Sequence, residues 1–225
     1  MKILVVAAHP DDEALGCGGT IARHAKADDE ISLLFLADGV SARGHNPDAR
    51  EARQKAALMA TGLLGVRHVG FEPLSMQVRD NRLDMFALHD LVMEVEAKLQ
   101  KWRPRIIYTH HGGDLNIDHR ITHQAVMTAC RPMPGSSVKA IYAFEVPSST
   151  EWASESEQAF RPNHFVDISS TLDKKLEALK AYEEEMRPFP HARSIEAVRA
   201  LAVWRGASVG LRAAEAFMTI RRIEA

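Results

Sequence analysis

The sequence predicts an α/β fold of three layers, Rossmann-like, with a mostly parallel central sheet and helices on both faces. Three observations carry that prediction. Short apolar runs such as Ile3-Leu4-Val5-Val6 and Ile31-Ser32-Leu33-Leu34-Phe35-Leu36 are bounded by turn residues, the pattern of strands covered on both faces. They alternate with longer segments of helical period, which sets successive strands parallel. Polar residues cluster where strands stop, the edge at which open α/β sheets bind ligands. The 225 residues suffice for one buried domain, 1–225.

The first strand, Lys2 to Ala8, ends in His9-Pro10-Asp11-Asp12-Glu13. His9 and Asp12 lie three apart across a turn held by Pro10, so an imidazole and a carboxylate can converge on a cation while Asp11 stays free. A free carboxylate there suits a general base acting on metal-activated water. The same acids also suit a helix N-terminus, because the helical run Ala14 to Ala25 follows and carboxylates satisfy free amides. From this stretch alone both readings stand. Gly16, Gly18 and Gly19 make only a partial dinucleotide fingerprint, with Ile21 at the last glycine position. Small residues here let the helix lie close to the sheet.

Strand Ile31 to Leu36 ends in Ala37-Asp38-Gly39, where Asp38 reads as a turn-former more readily than as a substrate contact. Ser41 to Asp48 reads as a loop, and Asp48 to Leu64 as a helix capped by Asp48 and stopped by Gly65. Arg50 and Arg53 on its first turn either clamp oxygen atoms in the cleft or lie on a solvated face. Val66 to Gly70 is a third strand, followed by a polar linker around Arg79-Asp80-Asn81-Arg82 in which Asn81 is taken as a substrate contact. The helix Met85 to Trp102 turns Leu88, Leu91, Val92, Val95 and Leu99 to the core, and Pro104 breaks it. Strand Arg105 to Thr109 ends in a second polar cluster, His110 to His119, before the helix Ile121 to Cys130. Alternation brings this cluster beside the first. Lys139 to Glu145 is a fifth strand, and Val166 to Ile168 an edge strand. Between them, Pro147 to Pro162 is a loop offering Trp152 and Phe160 to a sugar or partner. Then come the helix Thr171 to Tyr182, the loop Met186 to His191, the helix Ile195 to Ala207, and Ala213 to Ile223 as a helix or an edge strand.

Composition narrows the function classes. A formal charge of -2 gives no basic footprint, so no nucleic-acid partner is expected. Two cysteines make no disulfide framework and favour a reducing compartment. No apolar stretch approaches the ~20 residues of a membrane span. A soluble cytoplasmic protein is the expectation.

The stretch Ala8-His9-Pro10-Asp11-Asp12-Glu13 and the downstream Asp118-His119 resemble the PIG-L/LmbE-like family of zinc-dependent N-deacetylases, the GlcNAc-PI de-N-acetylase-like proteins. The likeness extends to Pro190-His191-Ala192-Arg193-Ser194, Trp204-Arg205-Gly206 and Ala214-Glu215-Ala216-Phe217. It implies Zn2+, or another divalent metal, held by His9, Asp12 and His119, with Asp11 as general base. Two imidazoles and one carboxylate leave an open position, as catalytic zinc requires. The implied reaction frees acetate and an amine from an N-acetylated amino sugar of the N-acetylglucosamine-conjugate type.

Some family members carry a histidine three residues before the last ligand, where this chain has Asn116. Asparagine donates a hydrogen bond but no proton near neutral pH. The acid is then His191, matching a late histidine of related sugar deacetylases, or His111, or Asp11 shuttling its proton. His123 is not called on by the family pattern, and Asp114 and Asp118 are expected to orient His119 by accepting its distal N–H. Arg50, Arg53 and the Arg79 to Arg82 loop are compatible with an anionic aglycone. The closing stretches resemble the subgroup tied to bacterial polysaccharide biosynthesis, and a homo-oligomer is implied too. A rival reading is a catalytically inactive, metal-dependent sugar-binding module marked by Asn116; another is a nucleotide-dependent enzyme on the same scaffold.

Overall fold

In the computed structural model, which describes residues 1–40, 47–71, 82–154 and 158–224, the apolar runs become strands and the periodic segments helices. In chain order these are β1 (Lys2–Ala7), α1 (Asp12–Lys26), β2 (Glu30–Phe35), α2 (Pro47–Leu64), β3 (His68–Phe71), α3 (Leu88–Trp102) and β4 (Ile106–His110). They continue with α4 (Ile117–Ala129), β5 (Ala140–Phe144), β6 (His164–Asp167), α5 (Leu172–Lys180), α6 (Ile195–Ala207) and β7 (Ala214–Arg222). The seven strands make one sheet ordered β3-β2-β1-β4-β5-β7-β6, all running the same way except β7, which is antiparallel to both its neighbours β5 and β6. The α/β architecture is as predicted.

Alternation along β1 splits the core into two layers. Ile3, Val5 and Ala7 face apolar residues of α1, α2, α5 and α6, whereas Leu4 and Val6 face those of α3 and α4. Both faces of the strand are therefore covered, which is why it reads as a continuous apolar run. β1 pairs directly with β4, Val5 opposite Tyr108, so the two polar clusters emerge side by side. That adjacency places the site.

Three expectations are corrected. α4 starts at Ile117, not Ile121, because Asn116 caps it: its side-chain oxygen accepts the Asp118 amide at 2.8 Å. Met85 closes a short 3-10 turn, Leu83–Met85, and α3 begins at Leu88. Residues 214–222 are a strand and not an edge, since β7 lies between β5 and β6.

The first helix is broken at Cys17 (φ -145°, ψ 23°), and its orphaned groups find buried partners. The Leu15 carbonyl accepts from Lys175 Nζ at 2.7 Å, while the Gly19 and Thr20 amides donate to Glu215 at 2.9 and 2.7 Å. Lys175 and Glu215 are themselves 2.6 Å apart and both buried. One ion pair thus repairs the ladder and ties α1 to α5 and β7.

The glycines of this helix serve packing. A Cβ on Gly16 would lie 2.3 Å from the Phe144 ring, and one on Gly19 2.8 Å from Ile168. Overpacking of this kind costs about 1–3 kcal/mol. Gly16→Val is expected at the upper end, which lowers Tm by roughly 6–12 °C for a chain of this size. A thermal melt checks it; an unshifted Tm would show that Phe144 yields freely.

Candidate functional site

Beyond β1 the backbone turns sharply through Ala8 to Asp11. The Asp12 carboxylate accepts the His9 amide at 2.8 Å, which closes the turn, and Glu13 accepts the Asp11 amide at 3.0 Å. Asp11 sits at φ 133°, a conformation that non-glycine residues adopt only under constraint. Although it occupies the N-cap position of α1, its side chain makes no capping bond. The helix-cap reading therefore fails for Asp11, whose carboxylate faces the cleft instead.

His9 in the turn after β1, Asp12 at the start of α1 and His119 on α4 converge, with one ligand atom of each lying within 4.8 Å of the others. His9 Nδ1 is 3.2 Å from Asp12 Oδ2, and His119 Nε2 is 3.3 Å from Asp12 Oδ1. Asp12 Oδ1 and His119 Nε2 are buried without a hydrogen-bond partner among the described residues. Two orphaned donor atoms aimed at one point suit a cation, because unpaired buried polar atoms are otherwise costly.

A carboxylate stands behind each imidazole. Asp114 Oδ1 lies 3.0 Å from His119 Nδ1, and Asp114 is in turn held by Thr150 Oγ1 at 2.6 Å, by Ser149 Oγ and by the Asn116 amide at 2.9 Å. Asp118 Oδ2 lies 3.0 Å from His9 Nε2, while its other oxygen accepts the Leu83 amide at 2.9 Å. Asp114 thus sits as expected, but Asp118 orients His9 and not His119. The early start of α4 is the reason, since it points Asp118 across to β1. Backing carboxylates of this kind fix the tautomer and raise the basicity of the opposite nitrogen.

Electrostatics favour positive charge here. Burial works against a charge on His119, but the Asp12 and Asp114 carboxylates outweigh it and raise its pKa to about 9. Burial likewise disfavours the Asp12 carboxylate, yet the nearby His119 and His110 imidazoles hold it well below its ordinary value. His110 stacks on His119 with centroids 4.0 Å apart, and its Nε2 accepts the Ala8 amide at 2.9 Å. Burial, aided by His119, keeps His110 well below the usual imidazole range. Asp11 is raised to about 6 by burial, with the Arg193 guanidinium opposing.

A cleft of about 210 Å³ opens over these groups, lined among others by His9, Asp11, Arg53, Asn116, His191 and Arg193. His191 Nδ1 accepts the Arg193 amide at 3.1 Å, which leaves the ring proton on Nε2. The Asn116 side-chain oxygen is spent on its cap, so its amide N–H groups are what it can offer the cleft. His111 is turned away, its Nε2 2.6 Å from the Gln158 carbonyl and its ring edge-on to Phe160. The expected place of His111 at the reacting atoms is not what the structure shows.

Arg50 is engaged by Asp38, Nε and Nη2 at 3.1 and 2.9 Å from Oδ2, and does not line the cleft. Asp38 also accepts the Val40 amide, as a turn-former does. Arg53 is buried in the cleft wall, bonding the Pro10 carbonyl at 3.0 Å and pairing with Glu185. Asn81 and its neighbours Arg79 and Asp80 fall outside the described residues. His123 Nδ1 is engaged 2.8 Å from the His110 carbonyl.

Sequence reasoning missed His110, Ser148, Glu185 and Arg193. Arg193 Nη1 donates to Asp11 Oδ2 at 2.9 Å, its Nε to Ser148 Oγ at 2.7 Å, and it lies 3.4 Å from Glu185 Oε2. The available signals were His110 at the head of the second polar cluster and Arg193 within a stretch of family likeness.

The family model described as GlcNAc-PI de-N-acetylase, PIG-L, matches residues 4–130. A protein of Escherichia coli (strain K12) described as uncharacterized deacetylase YaiS is 31% identical over 183 residues, 80% of this chain and 90% of its own length. The 4-oxalmesaconate hydratase of Pseudomonas putida is 30% identical over 198 residues, 79% of this chain and 71% of its own. Among solved structures, the N,N'-diacetylchitobiose deacetylase from Pyrococcus horikoshii superposes with a TM-score of 0.78 at 21% identity, covering 98% of this chain and 84% of that one. That likeness shows the shared fold.

Proposed function

The chain belongs to the PIG-L family, and on that premise we propose that it is a metal-dependent hydrolase removing the acetyl group from an N-acetylated amino sugar. The N-acetylglucosamine-conjugate class follows the family description. The observation that carries the reading is the convergence of His9, Asp12 and His119 beside a carboxylate, Asp11, that caps no helix. These three side chains would hold the ion, zinc by their donor set, with Asp118 and Asp114 orienting the two imidazoles. When bound, a divalent ion supplies Lewis acidity that lowers the pKa of water and polarises the amide carbonyl.

Asp11 takes the proton of the attacking water as the new C–O bond forms, and returns it to the nitrogen as the C–N bond breaks. His191 offers an Nε2–H to the developing oxyanion, since its Nδ1 is already accepting. This gives His191 the part of a hydrogen-bond donor and leaves proton delivery to Asp11. The Asn116 amide is a second donor on the cleft wall. Acetate and a free amine leave.

The hydratase relative supports a second reading, in which the same base adds water to a carbon–carbon double bond. Acetate release separates the two. Across N-acetyl sugars, sugar nucleotides and glycolipids, release is expected from at least one class, lost with chelator and restored by Zn2+. No release from any of them by metal-loaded protein would overturn the deacetylase proposal and with it the amino-sugar substrate. We also propose a homo-oligomer acting in the cytoplasm; the buried free thiols of Cys17 and Cys130 support a reducing compartment. No helix of the described residues is long and apolar enough to cross a membrane.

A further inference from the structure

Asp11 has an awkward environment for a base. Its backbone is held at φ 133°, and its carboxylate is buried close to the negative charges of Asp12 and Glu185. Like charges at short range push a free carboxylate to rotate away, so something must hold it.

We infer that Arg193 is the positioning residue for the Asp11 carboxylate, a role that rests on Asp11 being the base. Its guanidinium holds Oδ2 at 2.9 Å and leaves Oδ1 for the proton of the attacking water. Arg193 is itself fixed from two sides, by Ser148 Oγ at 2.7 Å on Nε and by Glu185 Oε2 at 3.4 Å from Nη1. Glu185 also pairs with Arg53, whose Nη1 grips the Pro10 carbonyl at 3.0 Å. A closed circuit results: the Pro10-Asp11 turn, Arg53, Glu185, Arg193 and back to Asp11. Four side chains from three parts of the chain thereby over-determine one carboxylate. The planar fork matters, since Arg193 holds Ser148 through Nε and Asp11 through Nη1, two nitrogens in fixed relation that a lysine would replace with one. Through its own amide, Arg193 also sets the His191 ring, so one residue aligns base and oxyanion donor.

The test compares Arg193→Ala, Arg193→Lys and Asp11→Asn in zinc-loaded protein. Losing alignment without losing the base is expected to lower kcat about 100-fold in Arg193→Ala. KM should stay within about threefold, because the group orients the reaction and does not bind substrate. Zinc content should be unchanged. Guanidinium ion at millimolar, non-denaturing concentration should restore activity to Arg193→Ala but not to Asp11→Asn, a readout that loss of structure would not produce. Arg193→Lys should stay as impaired as Arg193→Ala, and its kcat-against-KM split serves if the alanine variant does not fold. Full activity in Arg193→Ala, or in Arg193→Lys, or a kcat loss that guanidinium does not reverse, overturns the inference. A fully active Asp11→Asn instead removes the base assignment on which it rests, so the two failures are distinct.

Discussion

Asp11→Asn is expected to reduce acetate release by about 10²–10⁴-fold, the usual worth of a positioned general base, with the metal still bound. The substitution isolates the proton transfer because almost everything else about the residue survives it. Asparagine is among the residues that tolerate positive φ, so the constrained backbone at φ 133° is not the cause of the loss. Its amide oxygen still accepts the Arg193 Nη1 bond seen at 2.9 Å, and its backbone amide still reaches Glu13. What disappears is a group able to take a proton. His9, Asp12 and His119 are untouched, so the metal content measured by elemental analysis should match that of the parent. Turnover within threefold of the parent, on the order of ordinary assay scatter, would leave the three-residue centre as a binding site and favour the sugar-binding module.

Glu215→Ala should produce the largest loss of stability of any single change away from the cleft. It leaves the buried Lys175 ammonium beside the Leu15 carbonyl alone and strips the Gly19 and Thr20 amides of their acceptor. Breaking one side of a buried ion pair costs about 3–5 kcal/mol, which at ~2–4 °C per kcal/mol lowers Tm by roughly 6–20 °C. Glu215→Gln keeps an acceptor for the amides and should lose less. The Lys175→Met, Glu215→Gln pair completes a double-mutant cycle, in which strong coupling is expected because the residues share the same broken turn. If Glu215→Ala melted with its parent, the ion pair would not be what mends the helix at Cys17.

Legibility followed distance along the chain. His9, Asp11 and Asp12 are neighbours on one strand-end turn, so their chemistry was readable from spacing. Their meeting with the His110 to His119 cluster was readable too, because parallel alternation puts the ends of β1 and β4 together, and the family resemblance singled out His119 within it. Asn116 was weighed as a departure from a family pattern, and its plainer role, capping α4, went unread; hence the late helix start and the misassigned partner of Asp118. Arg50 and Arg53 look alike on one helix turn, yet one is engaged by Asp38 and the other is built into the cleft wall.

The sequence by itself determined the mostly parallel α/β sheet, the pairing of two polar clusters at its carboxyl edge and the His9/Asp12 half of the candidate centre, while His119 was implied by the family resemblance. Periodicity and short-range spacing encode the former features directly. Only the tertiary structure decided that Arg193 faces Asp11, that Glu185 links it to Arg53, and that Lys175 and Glu215 mend a helix they do not belong to. Those contacts span 182, 132 and 160 to 196 residues. A lone arginine or glutamate carries no local mark of its partner, because what selects it is a buried charge elsewhere that folding brings within reach.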